Sequence, residues 1–549
     1  MPPSIGGPPS SGRQSLSSKP VVEAVSPPSS PVARSLIVAA AIVALGFVGS
    51  RLLGVLRTIA IAGEFGTGDD VEAYFVAFRL PDLIFQVLAG AAIGSAFIPT
   101  LTRYFLQRGD DAAWLLASRV LNVVALLTLI LGLAAFVTAP WVVPLLAPGV
   151  GETAAERDEF NDLAVELTRI MTLSPILFSI SGLFMGILNA RHSFFLPALA
   201  PIFYNLSIIF GALVLSGPFG VHGLAWGVVI GAALHLLVQV PGLRRQRMRW
   251  SPSLHYRDEG VLEVARLMGP RIIGLGAGQA NFFVTTFFAS YISAGSISAL
   301  NYAWLLMMLP LGVFGMAIST AVFPRLAEQA ASGEPSQMRS SLSRMLRLIL
   351  FLTIPSTIGL VLLREPIVAV LLERGAFGAS STEVTADALL FFSLGLVGHA
   401  SVEILARGLY ALGDTRSPAL AAVAALVLNL FLSAALYGPL DEAGLAIAVS
   451  AGALLNAALH YQPLRRRLGG LEGAEVVRSL ARMVAPCVAL LAIVGGAILL
   501  FSPLRDGESS VEALVLLLLT IGAGAFVYLL TAVVFGQEEV SQLRRRFRR

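Results

Sequence analysis

HGLAWGVVIGAALHLLVQVPGLRR (His222 to Arg245) and AGLAIAVSAGALLNAALHYQPLRR (Ala443 to Arg466) lie far apart in the chain, yet they align without a gap and both close on Leu-Arg-Arg. Two further pairs keep the same order: LPALA (Leu196 to Ala200) matches SPALA (Ser417 to Ala421), and GAAIGSAFIPTL (Gly90 to Leu101) matches GMAISTAVFPRL (Gly315 to Leu326). One match between apolar segments means little. Three in consistent order, with prolines and loop arginines in register, read as an internal duplication. The repeat unit holds six apolar runs. Because six is even, the two copies share one orientation and are related by an axis along the membrane normal, a common transporter design.

The remainder of the chain shows that its solvent is lipid. Of 549 residues, 56% are hydrophobic and 13% charged, with a mean hydropathy of +0.79; a soluble domain has about 45–50% and about 25%. An ordinary soluble protein is excluded. Apolar runs recur near 35–63, 73–101, 113–147, 161–189, 195–216, 221–243, 261–292, 297–324, 345–372, 384–412, 417–437, 443–463, 478–502 and 511–535. These predict about fourteen transmembrane helices. Alternate connections hold about 24 basic residues, ending with Arg544, Arg545, Arg546, Arg548 and Arg549, while the other set holds about three, Arg157, Arg374 and Arg505. By the positive-inside rule both termini are cytoplasmic. An odd number of spans would have scrambled this contrast.

The expected architecture is an all-α polytopic membrane protein. A disordered Pro/Ser/Gly-rich cytoplasmic tail covers 1–33, a first lobe of spans 1–6 covers 34–245, and a second lobe of spans 7–12 covers 246–470. Two further spans cover 471–536 and a basic cytoplasmic tail covers 537–549. The first apolar run is longer than the about 7–15 residues of a signal-peptide core and carries two arginines, so it reads as a retained helix. The net charge of +4 lies in short loop clusters, as expected for contact with anionic lipid and not with nucleic acid. The single cysteine, Cys487, excludes an intramolecular disulfide and a cysteine metal site. The six histidines show no metal-ligand spacing, and G-x-x-x-x-G-K-[ST] is absent, so no metal site and no ATP hydrolysis is expected. No nucleophile and base stand together, which points to a transporter and not to an enzyme.

Ionisable groups inside spans form the functional shortlist, because a charge near the bilayer centre costs about 3 kcal/mol or more. Arg51 lies about 24 Å along the first span and Arg57 a turn and a half further, about 120° around the helix. Sharing one cavity requires a broad polar face or a bend, which Gly54 permits. Facing inward they would form an anion site, since guanidinium forks bind phosphate bidentately; near the span's end they would snorkel instead. Arg79 and Asp82 flank Pro81 at i,i+3, either as an internal ion pair at a proline kink or in gating or substrate contact. Glu403 and Arg407, at i,i+4, either neutralise each other or line the cavity. Asp387, Glu166 and Arg169 read as interfacial, and Arg271, after Gly269 and Pro270, as snorkelling at the cytoplasmic surface. Gln279, Asn281, Thr285 and Thr286 form a polar stretch that either coordinates a cation or, the favoured reading, bonds to neighbouring helices.

SRLLGVLR (Ser50 to Arg57), EAYFVAFRLPDL (Glu72 to Leu83), AFIPTL (Ala96 to Leu101), APWVVPLLAPG (Ala139 to Gly149), GILNARHSFFLPALAP (Gly186 to Pro201), LMGPRIIG (Leu267 to Gly274), LLERGAF (Leu371 to Phe377) and RGLYALGDTRSP (Arg407 to Pro418) together resemble the MurJ (MviN) lipid II flippases. These belong to the multidrug/oligosaccharidyl-lipid/polysaccharide exporter superfamily, and the resemblance runs from about residue 35 to the end. It implies two six-helix lobes around a central cavity, with the two C-terminal helices forming a lipid-tail groove. It further implies alternating access that carries a polyprenyl-pyrophosphate-linked peptidoglycan precursor across the bacterial cytoplasmic membrane. Arg51 and Arg57 match basic positions of the family's cationic cavity and are expected to bind headgroup phosphates. Glu72 stands where the family usually has aspartate; with Arg79, Asp82, Glu403 and Arg407 it joins the gating or cavity candidates.

The chain departs from the family pattern at Phe85 and Gln86, where an arginine pair is usual, at Gly90 in place of an acid, and at Trp304 and Leu305 in place of Asp-Arg. No cofactor is expected. Without an ATP site, drive falls to membrane potential or a monovalent cation gradient. The expected partners are the polyprenyl-linked glycan, membrane lipid and cell-wall synthesis proteins. Three alternatives stand beside this reading: a flippase for another polyprenyl-linked glycan, a drug/cation antiporter of the same superfamily, which calls for acidic cavity residues, and a non-transporting cell-wall scaffold.

Overall fold

The computed structural model describes residues 31–90, 97–505 and 510–540. Most of the expected N-terminal tail, nearly all of the basic C-terminal tail and the side chain of Arg271 lie outside the described residues. Among the described residues the chain is helical throughout: α1 (Pro31–Phe65), α2 (Asp69–Phe85), α3 (Ile98–Gln107), α4 (Gly109–Leu146), α5 (Ala154–Met171), α6 (Leu173–Ala190), α7 (Phe195–Phe210), α8 (Ser216–Phe219), α9 (Val221–Leu237) and α10 (Val240–Arg245). There follow α11 (Glu259–Ala289), α12 (Ser296–Pro310), α13 (Met316–Ala331), α14 (Pro335–Leu362), α15 (Arg364–Leu372), α16 (Ala379–Ala411), α17 (Arg416–Arg467), α18 (Gly473–Leu500), α19 (Ser502–Arg505) and α20 (Val511–Val534).

Eleven helices among the described residues are long and apolar enough to cross a membrane, against about fourteen expected. One of them, Arg416–Arg467, is two spans merged across a break at Asp441. The other two expected spans, 73–101 and 261–292, each include residues or side chains that are not described; α2, α3 and α11 occupy them.

Helices α1, α2, α4–α7 and α9 pack chiefly among themselves, as do α11, α12, α14, α16 and α17; α18 and α20 pair with each other and lean on α14. The duplicated segment explains the close packing within each set. Gly223, Gly227 and Gly231 recur every fourth residue on α9, and a Cβ on Gly227 would stand 3.0 Å from the backbone of Gly211. Small residues at this spacing let membrane helices approach backbone to backbone. Their counterparts in α17 are Gly444, Ala448 and Gly452, and a Cβ on Gly444 would press to 2.4 Å of the Leu436 carbonyl oxygen.

The duplication extends to backbone angles. Gly220 enters α9 with φ 55 and ψ −142, and Asp441, its counterpart, has φ 47 and ψ −134. That region suits glycine and strains a side chain by about 1–3 kcal/mol. Asp441→Gly is therefore expected to stabilise the protein by about 1 kcal/mol, with thermal unfolding in detergent moving up by a few degrees; an unchanged or lower midpoint would show that Asp441 is not strained. Among the described residues five-residue π-helical turns stand at Gln86–Gly90, Gly211–Leu215 and Leu311–Gly315, and the first and last of these each end on the glycine that opens the matched GAAIG/GMAIS motif.

Local chemistry fixes the ends. Thr153 and Glu156 form a reciprocal cap on α5. Pro81 leaves the Ala77 carbonyl without its helical donor, and Thr168 Oγ1 of α5 reaches it at 3.4 Å. In the RGLYALGDTRSP motif, Asp414 accepts hydrogen bonds from Arg416 N, Ser417 N and Ser417 Oγ and pairs with Arg467 at 2.7 Å. Burial opposes its charge, but these donors hold the carboxyl below its usual value. On the arginine-rich side, Arg103, Arg108 and Arg119 from α3 and α4 pair with Glu263, Glu259 and Asp258, fastening the start of α11 to the first set.

Candidate functional site

Two cavities flank α2. The first, of about 430 Å³, takes Arg79 and Gln86 from α2 and the turn after it; Gln279, Asn281, Thr285 and Thr286 from α11; Asn301 and Trp304 from α12; His399 and Glu403 from α16; and Asn456 from α17. The second, of about 400 Å³, is lined by Arg57 of α1, Asp82 and Phe85 of α2, Phe178 and Gly182 of α6, Tyr204 of α7 and His235 of α9. Both have the size of ligand sites. They are also related to each other. In the register that sets His222 on Ala443, Phe178, Gly182, Tyr204 and His235 fall on His399, Glu403, Ala425 and Asn456, all of which line the first cavity. Equivalent stretches of the two halves thus each wall a cavity, and the second half carries a glutamate at the Gly182 position.

Arg79 is the cation of the first cavity. Its Nε donates to Thr286 Oγ1 at 3.1 Å, its Nη2 donates to Asn301 Oδ1 at 2.9 Å, and its guanidinium lies 5.1 Å from the Phe282 ring centre. Three neighbours from α11 and α12 thereby orient a side chain from α2. Asp82 instead accepts from Gln279 Nε2 at 3.3 Å. Of the two readings of the i,i+3 pair, a closed internal ion pair is not what forms; each residue bonds across to the other half. Glu403 and Arg407 do pair, at 3.5 Å, with Glu403 on the cavity wall. The polar stretch of α11 bonds across helices, as the favoured reading held: Asn281 Oδ1 accepts from Asn429 of α17.

Arg51 and Arg57 part company. Arg57 lines the second cavity. Arg51 lies over the Phe47 ring, and its guanidinium carbon comes within 3.6 Å of where a Cβ on Gly312 would stand, so it sits at the seam between α1 and the Leu311–Gly315 π turn and lines neither cavity. The bend that Gly54 could offer does not bring the two into one space. Among the described residues, the charged side chains lining the first cavity are Arg79 and Glu403.

At the arginine-poor end the two halves are latched. Glu72, 1% exposed, accepts from the backbone N–H of Ile297 at 2.7 Å and of Ser298 at 3.2 Å, capping α12 from the opposite half. A carboxylate suits the positive end of a helix. Tyr302 donates to the Gly66 carbonyl, Thr67 and Ser381 share a hydroxyl bond at 2.7 Å, and Ala376 N donates to the Gly63 carbonyl. The sequence pattern does not single out Asn301, His399 or Asn456 as cavity residues. Single histidines and single amides in apolar helices give no periodic signal.

The Lipid II flippase MurJ family profile matches residues 61–520. The chain belongs to the MurJ lipid II flippase family. It is 32% identical to a lipid II flippase MurJ of Burkholderia cenocepacia over 424 residues, 76% of this chain and 81% of that protein. It is likewise 32% identical to a probable lipid II flippase MurJ of Rhizobium tropici over 516 residues, 91% and 94% of the two chains. Its fold is similar to that of a lipid II flippase MurJ in an inward closed conformation, with a TM-score of 0.75 and 23% identity over 90% of this chain and 99% of that one. It is also similar to an inward-facing multidrug resistance MATE transporter of the MOP superfamily, with a TM-score of 0.65 and 17% identity over 77% and 96%. As a MurJ member the chain is a multi-pass membrane transporter and not an enzyme.

Proposed function

We propose that this protein flips lipid II, a polyprenyl-pyrophosphate-linked glycan, from the inner to the outer leaflet of the bacterial cytoplasmic membrane by alternating access. The observation that carries the reading is a polar cavity built jointly by both halves of a MurJ-family chain and latched at one end by Glu72. In this reading the lobes 34–245 and 246–470 rock about the seam, both termini are cytoplasmic, and the latched end faces outward. Arg51, at the seam beside the lipid-exposed Leu52 and Leu56, meets headgroup phosphates as they enter, and Arg57 and Arg79 hold them deeper. The lipid tail stays in the bilayer against α18 and α20, whose Val484, Val488, Leu518 and Leu519 are exposed. Membrane potential or a monovalent cation gradient supplies the drive, and cell-wall synthesis proteins consume the product. One observation favours a second reading, another polyprenyl-linked glycan: among the described residues the charged lining of the first cavity is Arg79 and Glu403, so an acid stands beside the cation.

The test is complementation in a bacterium whose own lipid II flippase can be switched off, reading lipid II exposure on the outer leaflet. Rescue is expected, and Arg51→Ala is expected to lower it about tenfold or more while leaving insertion intact, the loss of one charge-assisted bond. Failure with abundant, inserted protein would move the assignment to the second reading. Full rescue by Arg51→Ala would remove that residue from the phosphate path.

A further inference from the structure

Asp82 stands in the wall between the two cavities. It lines the second, and its Oδ2 accepts from Gln279 Nε2, a side chain of α11 that lines the first. It follows Pro81, where α2 has already lost a backbone hydrogen bond. An acidic group at membrane depth is costly to keep charged and marks an ion or proton path by default.

We propose that Asp82 is a proton-binding site whose occupancy sets the grip of the first half on α11. The proposal rests on the alternating-access reading above. As a carboxylate, Asp82 holds Gln279 with a charge-assisted bond, about twice as strong as a neutral one. A proton on the carboxyl removes that charge and loosens the bond, so one of the ties between α2 and α11 weakens while Arg79 still holds Thr286 and the packing of α11 on α17 persists. The second cavity, about 400 Å³ with Arg57, Ser174, Tyr204 and His235 around Asp82, offers water polar partners on the way to the carboxyl.

The groups around Asp82 fit this role. From α1 comes Arg57, from α7 Tyr204 and from α9 His235, whose Nδ1 is tied to Ser181 at 2.6 Å. α6 offers Ser174, Phe178, Gly182 and Met185, none of them acidic or basic. On its own helix Arg79 is engaged by Thr286 and by Asn301 of α12, Glu72 is engaged by the start of α12, and Gln86 lies one turn on. From α5, Thr168 is committed to the Ala77 carbonyl, and α4 presents Ala135 to the neighbouring Ile84. Asp82 is thus the acid that faces both the second cavity and α11.

The test places spin labels at two exposed positions near the latched end, Glu159→Cys and Glu383→Cys, in a Cys487→Ser background, reconstituted in vesicles without lipid II. The ratio of short to long distances should change about tenfold between about pH 4 and about pH 8, falling as pH falls. Asp82→Asn should hold the low-pH ratio throughout, and Gln279→Leu, which leaves the acid in place, should flatten the same response. A pH response that persists in Asp82→Asn, or a wild-type ratio that does not respond, would overturn the proposal. If Asp82→Asn fails to insert, Gln279→Leu decides alone, an unflattened response counting against. The substrate is absent, so failure here is distinct from failure of the flippase reading.

Discussion

Glu72→Ala is expected to unlatch the arginine-poor end and to abolish flipping. The carboxylate is almost fully buried and accepts two backbone N–H groups from the first turn of α12. Removing it leaves those donors unsatisfied in a site closed to water and deletes the charge that complements the helix end. Truncating one partner of a buried, hydrogen-bonded charge costs about 2–5 kcal/mol, which would shift the latched population more than tenfold. The check is chemical. Ala299, fully buried near the start of α12, becomes a reporter as Ala299→Cys in a Cys487→Ser background. A membrane-impermeant thiol reagent should label it at least about tenfold faster when Glu72 is alanine. Glu72→Gln keeps an acceptor oxygen without the charge and should fall between. Equal labelling in all three backgrounds would show that the contact is incidental to closure.

Arg79→Ala carries the second large effect. The guanidinium serves Thr286 and Asn301 at once and lies over Phe282, so one side chain joins α2 to α11 and α12 while presenting the positive charge of the first cavity. Hydrogen bonds to a charged group are worth about 1.5–3 kcal/mol each, so losing two should reduce flipping by about 100-fold. Arg79→Lys is expected to restore little, because a single ammonium cannot reproduce the planar fork and the stacking together. Flipping per inserted molecule, with thermal stability in detergent measured alongside, separates loss of the site from loss of the fold. A lysine variant with near-normal flipping would reduce Arg79 to a point charge.

What could be read from the sequence follows what each signal depends on. The duplication, the helical class and the chemistry of the shortlist rest on local pattern, and the matched glycines of α9 and α17 already state how those helices pack. Which cavity a side chain enters depends on helix rotation, set by neighbours distant in the chain. Arg51 and Arg57 share a helix yet diverge to the seam and to the second cavity. Arg79 and Asp82 sit one turn apart, a spacing that suggests a pair, but α11 and α12 offer each a separate partner across the seam. The missing family arginines were visible as Phe85, Gln86 and Leu305. The surrounding carboxamides were not, because Asn301 and Asn456 become neighbours only when α12 and α17 meet.

The π turns at Gln86–Gly90 and Leu311–Gly315 carry a consequence for ancestry. A π turn accommodates one residue more than an α turn, so everything beyond it is rotated by about 100° relative to an uninterrupted helix. Since both turns close on the same glycine of the matched motif, the extra residue was present before the gene half was copied. Gln86 in one copy and Leu311 in the other both border the first cavity. A half of this molecule is therefore a transferable unit only if its turn travels with it. Deleting one residue from a single copy would leave two halves that still align in sequence but present different faces to each other across the membrane.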